Sequence, residues 1–223
     1  MNKYYLDLRH RAKVDEPIQN KHKHFMQTMA EIEAPWGYGG KSVPAVNVSD
    51  MELVAVVELG ELSSRGIKSY ITYKLRSEKY LRDNAQYDDT VIIEFKPGDA
   101  DLSNFIETVF PRYIEAFDCY RATVGNREIA QDDWGTIVEQ CNSQGRDVNG
   151  RDGVYRINEL NFYDRELCKR AFGLSPEAIV KRLEGKVERV SLFHDGVLLV
   201  GSSTLLSRDE LEKLNSTVKA LLK

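Results

Sequence analysis

Cysteine is scarce in this sequence, and its spacing excludes two kinds of site. The 223 residues include three cysteines, Cys119, Cys141 and Cys168, and no two of them are closer than about twenty residues. Neither a disulfide framework nor a Cys-x-x-Cys metal site can be built from such a set. We interpret them as free thiols in a reducing compartment, with a reactive Cys168 on a helix as the alternative.

Long apolar runs are also absent. No segment approaches the roughly 18–20 apolar residues that are needed to span a bilayer. The first residues, Met1 to Arg9, alternate polar and apolar side chains and include Asp7, whereas a signal peptide has an uninterrupted apolar stretch. These features predict a cytoplasmic protein that does not bind membranes.

Motifs of nucleophilic and phosphate-binding enzymes are missing as well. No Gly-x-Ser-x-Gly elbow occurs, and the glycine-rich segment Gly37–Gly40 follows a predicted helix and lacks the lysine and hydroxyl of a phosphate loop. His22 and His24 have the i, i+2 spacing of some metal ligands, but the neighbouring lysines would repel a cation. The sequence therefore predicts no cofactor and no bound metal, and it favours a protein that is not an enzyme.

Paired acids provide the best enzymatic alternative. Asp88, Asp89, Asp99 and Asp101 would have to contribute to a divalent-metal site that hydrolyses phosphoesters or nucleotides. Such sites combine acids from several elements with a nearby lysine or histidine, and the sequence does not assemble that set. Asp99 and Asp101 also have an ordinary explanation, because acids are favoured just before a helix.

What the sequence does contain is a strongly acidic middle. The net charge of the whole chain is −4, but residues 83–139 hold thirteen acids and four bases, a balance of −9. Residues 1–24 carry six bases and three acids, a balance of +3. An acidic region of this kind attracts a basic partner and repels nucleic acid, although the same charges can simply keep a surface solvated.

The apolar pattern predicts an α+β fold with a mostly antiparallel sheet that is covered by helices. The chain forms either a single domain over residues 1–223 or two subdomains, residues 1–98 and 99–223. Strands are expected at three places in the first half, over residues 3–11, 67–75 and 91–95. A helix is expected after Pro17, and residues 49–62 favour another helix, with a strand as the competing interpretation.

The most regular amphipathic pattern of the first half begins at Ser103 or Asn104. Its apolar residues predict a helix that continues through Val124, with a kink or break at Pro111 because proline lacks a backbone N–H. A second helix is expected to start at Asp132 or Asp133, followed by a loop over residues 142–153 and a strand over residues 154–162.

The C-terminal third predicts a module of strand, helix, helix, hairpin and helix. Asp164, Ser175 and the capping box Ser207-Arg208-Asp209-Glu210 mark helix starts. Asp195-Gly196 is a signal for a two-residue turn between two strands. Helices placed so close to a hairpin can cover one face of a small antiparallel sheet.

Three stretches of the chain resemble a known group of proteins. The first runs from Asn104 to Arg121 and contains Val109-Phe110-Pro111-Arg112-Tyr113, and the second runs from Asn161 to Pro176. The third runs from Val187 to Val200 and includes Asp195-Gly196-Val197-Leu198-Leu199-Val200. Together they cover about half of the chain and resemble the small cytoplasmic immunity proteins of bacterial polymorphic-toxin systems, nearest to the family called immunity protein 52.

The resemblance implies that the protein binds and neutralises a cognate toxin, expected to be a nuclease effector. Nuclease toxins have basic substrate grooves, so an acidic surface is a suitable mimic of the displaced nucleic acid. An adaptor that binds a cellular protein unrelated to toxins is the other binding hypothesis. The predicted partner-binding residues are acids and aromatic anchors: Asp83, Asp88, Asp89, Asp99, Asp101, Asp132, Asp133, Trp134, Trp36 and Tyr38.

Overall fold

The computed structural model describes residues 3–37, 54–58, 67–96 and 102–223. The chain divides into two compact units, the N-terminal unit, Lys3–Cys119, and the C-terminal unit, Tyr120–Lys223. Each unit contains antiparallel strands and helices packed against them, so the predicted α+β class is confirmed.

The N-terminal unit is built on an antiparallel sheet. Its regular elements are β1 (Tyr4–Arg11), α1 (Ile18–Glu31), β2 (Val54–Glu58), β3 (Lys68–Lys74), β4 (Asp88–Phe95) and α2 (Phe110–Phe117). The strands lie in the order β2-β3-β4-β1, and each neighbouring pair is antiparallel. These elements confirm the strands that were predicted over residues 3–11, 67–75 and 91–95. They also confirm the helix that was predicted after Pro17.

Residues 54–58 correct one prediction made from the sequence. They form β2, in which Val57 lies opposite Ile71 of β3, and not the helix that the pattern over residues 49–62 favoured. A short apolar run has the same composition in a buried helix and in a strand, so its periodicity cannot distinguish them. The strand alternative is the correct one.

The helical segment before the unit boundary ends earlier than predicted. It starts with a turn at Leu102–Asn104, continues as a π-helix at Phe105–Val109 and then becomes α2, where Pro111 occupies the first turn. Asp118 adopts a left-handed conformation with φ 50 and closes α2. The predicted continuation through Val124 is wrong, because a strand begins at Arg121 and its six residues are all buried.

Aromatic side chains fill the core of the N-terminal unit. Trp36 is only 2% exposed, and its ring centroid lies 5.1 Å from that of Phe95 and 4.4 Å from that of Phe105. Phe117 of α2 packs on Phe25 of α1 with their centroids 5.1 Å apart. Burial of each side chain of this size stabilises the fold by about 1.5–3 kcal/mol. These contacts assign the segment that begins at Leu102 to the N-terminal unit, whereas the alternative division by sequence separated it at residue 98.

The C-terminal unit contains four antiparallel strands and four helices. Its elements are β5 (Arg121–Asn126), α3 (Arg127–Gln144), β6 (Leu160–Asp164), α4 (Arg165–Phe172), α5 (Pro176–Leu183), β7 (Arg189–Phe193), β8 (Gly196–Val200) and α6 (Arg208–Leu222). The strands lie in the order β5-β6-β8-β7, and neighbours are antiparallel. The core contains apolar side chains from both layers, among them Leu167, Ile179, Leu199 and Val218.

Helix starts in the C-terminal unit follow local capping chemistry. Asp164, Ser175 and Ser207 each accept a backbone hydrogen bond at the start of a helix, as predicted, and Ser207 belongs to a complete capping box. The start of α3 was predicted wrongly at Asp132 or Asp133. Asn126 is the N-cap, because its side chain accepts the N–H groups of the second and third residues that follow it.

Other boundaries in this unit also differ from the predictions. α3 continues to Gln144, so the predicted loop begins later. The strand predicted over residues 154–162 begins only at Leu160 and extends to Asp164. The β7–β8 turn consists of His194 and Asp195, with His194 at φ 51, while Gly196 lies in β8 opposite Phe193. Gly196 is required by close packing on β6, since a Cβ there would lie 2.1 Å from the carbonyl oxygen of Tyr163.

Candidate functional site

Asp88 and Asp89 begin β4 and are fully buried. The carboxylate of Asp89 accepts two hydrogen bonds from the guanidinium of Arg76, at 2.9 and 2.6 Å, and one from the backbone N–H of Lys74 at 2.9 Å. Both oxygens of Asp89 are therefore used inside the protein. This placement corrects the prediction that Asp88 and Asp89 are exposed partner-binding residues, and it leaves Asp89 unsuited to hold a catalytic metal.

Arg76 connects Asp89 to further charges near the start of α1. Its Nη2 lies 3.3 Å from Oε2 of Glu16, and its Nε donates to the Glu16 carbonyl at 2.9 Å. Nε2 of the buried His10 lies 2.9 Å from the same carboxylate oxygen. Burial would raise the pKa of Glu16, but the hydrogen bond with His10 and the charges of His10, Lys21 and Arg76 outweigh burial and lower this pKa to about 2.

His10, Glu16 and Asp118 bring their potential metal-ligating atoms within 4.8 Å of one another. However, Glu16 contacts Nε2 of His10, whereas Oδ2 of Asp118 lies 3.4 Å from Nδ1 on the other side of the ring. Nζ of Lys21 and Nη2 of Arg76 lie 3.7 and 3.3 Å from the Glu16 carboxylate and would repel a cation. The geometry therefore suits an internal ion-pair network better than a metal centre.

Lys21 has a structural position within this network. Its buried ammonium donates to the carbonyl of Phe117, the last residue of α2, at 2.8 Å and lies 4.8 Å from the centroid of the Phe117 ring. A cation at the C-terminal end of a helix satisfies a free carbonyl and complements the helix dipole. Burial lowers the pKa of Lys21, and the neighbouring acids partly oppose this effect.

The exposed side of α3 has a different character. Trp134 is 65% exposed, the largest value among the large apolar side chains that the structure describes, and Val138 one turn later is 39% exposed. Ile129 and Ile137 are the residues by which α3 is buried in the unit. Side chains four residues apart in a helix lie side by side, so Trp134 and Val138 form one apolar strip on the surface.

A row of acids runs beside this strip. Glu128, Asp132 and Glu139 are all exposed, and their spacing places them along one side of α3. Asp132 pairs with Arg208 at 2.5 Å, but both side chains are more than half exposed, so the pair contributes little stability and Asp132 can exchange its partner. We define the α3 surface as Glu128, Asp132, Trp134, Val138 and Glu139.

The other predicted partner-binding residues are dispersed. Asp83 is exposed in the N-terminal unit, and Asp133 points away from the α3 surface and binds Arg156 through both oxygens, at 2.5 and 2.8 Å. Trp36 belongs to the aromatic core, which corrects its interpretation as an exposed anchor. Tyr38, Asp99 and Asp101 lie outside the described residues. Of the ten predicted residues, the structure brings Asp132 and Trp134 together on one exposed face.

Val138, Glu128 and Glu139 were missed as site residues, although the signal was present in the sequence. With Asn126 as the N-cap, a helical projection of residues 127–144 places Ile129 and Ile137 on one side and Trp134 and Val138 on another. The prediction started the helix five or six residues too late, and the apolar residues before Asp132 were consequently left out of the pattern.

The buried thiols are poor nucleophiles. Cys119 and Cys168 are buried, and burial raises the pKa of both, that of Cys168 to about 12 with a further contribution from Asp164. A thiolate, the reactive form, is therefore scarce at neutral pH at either position. This corrects the alternative of a reactive Cys168.

No protein-family model matches this chain, and no curated protein matches it significantly. Among the residues that the structure describes, no helix combines the length and apolar character that crossing a membrane requires.

Proposed function

We propose that this protein is an immunity protein that binds and neutralises a cognate bacterial toxin, a nuclease effector, in the cytoplasm, and that the α3 surface contributes the central contact. The exposed indole of Trp134, placed next to Val138 and flanked by acids, is the observation that carries this proposal. The resemblance to immunity proteins of polymorphic-toxin systems supports the class of partner.

An exposed tryptophan can supply much of the energy of such a contact. Trp is among the residues that dominate protein interfaces, usually as an anchor in a pocket of the partner. With 65% of Trp134 exposed, removal of on the order of 100–150 Å² from water contributes about 2.5–4 kcal/mol. Val138 extends the same apolar strip, so a partner pocket that receives Trp134 also covers its neighbour.

The acids beside Trp134 suit a basic partner. α3 carries Glu128, Asp132, Asp133 and Glu139 against a single base, Arg127. Acids at the rim of an interface accelerate the encounter with a basic partner. Salt weakens this attraction, because it screens charges over a Debye length of about 8–10 Å at physiological ionic strength. A nuclease groove that normally binds phosphates has the complementary charge, so this surface supports inhibition by occupation of the substrate groove.

The experiment is coexpression with the toxin that a neighbouring gene encodes. The natural protein is expected to protect cells, and Trp134→Ala is expected to protect them at least tenfold less at equal expression, because the anchor is removed. The control is Leu192→Ala, which deletes another apolar side chain, 53% exposed on β7 of the same unit. Full protection by Trp134→Ala would contradict the assignment of the α3 surface, and failure of the natural protein to protect would contradict the proposed function itself.

A further inference from the structure

The C-terminal unit contains a mainly polar cavity of about 480 Å³. It is lined by α3, by α6 and by the chain between α3 and β6, and the residues that matter for binding are Asp133, Gln140, Arg146, Arg156, Asn215 and Lys219. This volume is in the range of cavities that hold small-molecule ligands. The lining side chains that α3 contributes lie on a face of this helix that differs from the α3 surface, so the cavity is an independent feature.

Arg156 has its charge fully matched within the cavity wall. Asp133 binds it at 2.5 and 2.8 Å, and Glu212 lies 2.8 Å from its Nη1. The three side chains form a fixed ion-pair group whose two carboxylates both face the guanidinium. This group carries one net negative charge, and Lys219 and Arg146 bring the charged residues of the lining to a balance of +1.

Lys219 and Arg146 lack such matching. The ammonium of Lys219 donates to the carbonyl of Tyr155 and lies 5.4 Å from the centroid of its ring, while Arg146 donates to the carbonyl of Asp152. Across residues 3–37, 67–96 and 102–223, no carboxylate lies within ion-pair distance of either cation. Burial and the charge of Arg156 lower the pKa of Lys219, while the charges of Asp133 and Glu212 partly oppose this effect.

Amide groups complete the set of donors. Oδ1 of Asn215 accepts the backbone N–H of Ile157 at 3.0 Å, which leaves the NH₂ group of Asn215 as a donor at the cavity. The side-chain amide of Gln140, on α3, also lines the cavity. Two cations that have no carboxylate at ion-pair distance, together with two amides, are suited to an oxyanion with adjacent hydroxyl groups.

We propose that this cavity binds a small polar molecule that carries a phosphate or carboxylate group, with Lys219 and Arg146 as the ligands of the anionic group. The anion supplies a direct ion-pair partner for Lys219, so binding gains Coulomb energy in a partly buried site where salt screens weakly. The Asn215 and Gln140 amides bind the uncharged part of the molecule.

Calorimetric titration of the full chain tests the proposal with ribose 5-phosphate, citrate, inorganic phosphate and uncharged ribose as probes. Saturable binding of ribose 5-phosphate identifies a phosphate site, and saturable binding of citrate identifies a carboxylate site. Ribose is expected not to bind. Absence of binding by all three anions, or equal binding of ribose, would overturn the proposal.

Two substitutions locate the binding. Lys219→Met and Arg146→Gln are each expected to weaken the bound anion at least tenfold, and Arg146 is exposed enough that its replacement tests the site even if Lys219→Met does not fold. The control is Lys213→Met, which removes an exposed lysine from the same helix as Lys219. Equal affinity in Arg146→Gln, Lys213→Met and the natural protein would place the anion elsewhere and refute the assignment.

Discussion

The buried pair of Arg76 and Asp89 leads to a quantitative prediction about stability. The carboxylate of Asp89 is completely buried, and the Arg76 side chain is 9% exposed. Removal of one partner from a buried ion pair costs about 3–5 kcal/mol, because the other charge stays buried without compensation. In Asp89→Asn the Arg76 guanidinium keeps Glu16 at 3.3 Å, so we expect a loss at the lower end, about 3 kcal/mol of the free energy of unfolding.

Urea denaturation monitored by fluorescence measures this loss. The midpoint of Asp89→Asn should fall while the slope m stays unchanged, since the fold is the same. Asp83→Asn is the matched control, because Asp83 is exposed in the same unit, and its stability should change by less than about 0.5 kcal/mol. The double variant Arg76→Met/Asp89→Asn should recover part of the loss, because removal of both charges avoids the uncompensated guanidinium.

The result that refutes this reasoning is a loss for Asp89→Asn no larger than that for Asp83→Asn. A gain in stability would be a stronger contradiction. Acids kept for catalysis commonly cost stability, so a gain would return Asp89 to the list of functional residues.

Two further predictions concern single residues. The pKa of Glu16 is about 2 in the folded protein against 4.5 as its ordinary value, so the stability that its charge provides is complete above pH 4.5 and is lost as pH falls towards 2. Glu16→Gln should therefore lower the free energy of unfolding by about 1–2 kcal/mol at pH 7, after allowance for screening, and by less at pH 3. Equal losses in urea denaturation at both pH values would contradict this. Gly196→Ala should destabilise the protein by about 2–3 kcal/mol, because the new Cβ meets the Tyr163 carbonyl. Gly135→Ala, whose Cβ meets nothing within 4 Å, should stabilise α3 by about 0.5–1 kcal/mol. Thermal denaturation in which both variants change the stability in the same direction would refute the account.

The features that could be predicted from sequence are those with local causes. Ser207 and Glu210 form a capping box from residues only three apart, and Asp164 and Ser175 cap helices in the same local way. The alternation of β1 and the helix after Pro17 also arise within a few residues. Such signals do not depend on where the rest of the chain lies.

The features that could not be predicted depend on distant neighbours. Asp88 and Asp89 have the composition of an exposed acidic patch, yet Arg76, thirteen residues before Asp89, draws that carboxylate into the core. The strand β5 has apolar residues that also fit a continued helix, and the left-handed Asp118 before it and its pairing with β6 distinguish the two. The cavity at Lys219 is assembled from α3, α6 and the chain between α3 and β6, so no local pattern indicates it.

The candidate binding surface was predicted in part. Trp134 and Asp132 were identified from sequence, and both are exposed on α3. Trp36 had the same apparent qualities as Trp134, but contacts with Phe95 and Phe105 place it in the core. The difference between the two tryptophans is decided by packing, which the sequence around each does not reveal.

The measurement that tests the central claim most directly is the dissociation constant of the purified protein with the purified toxin of the neighbouring gene. The account predicts one tight complex, an association rate that falls as salt rises, and an affinity lowered at least tenfold by Trp134→Ala but unchanged by Leu192→Ala. An affinity that Trp134→Ala leaves equal to that of Leu192→Ala would contradict the α3 surface as the contact, and the absence of any complex would contradict the proposed function.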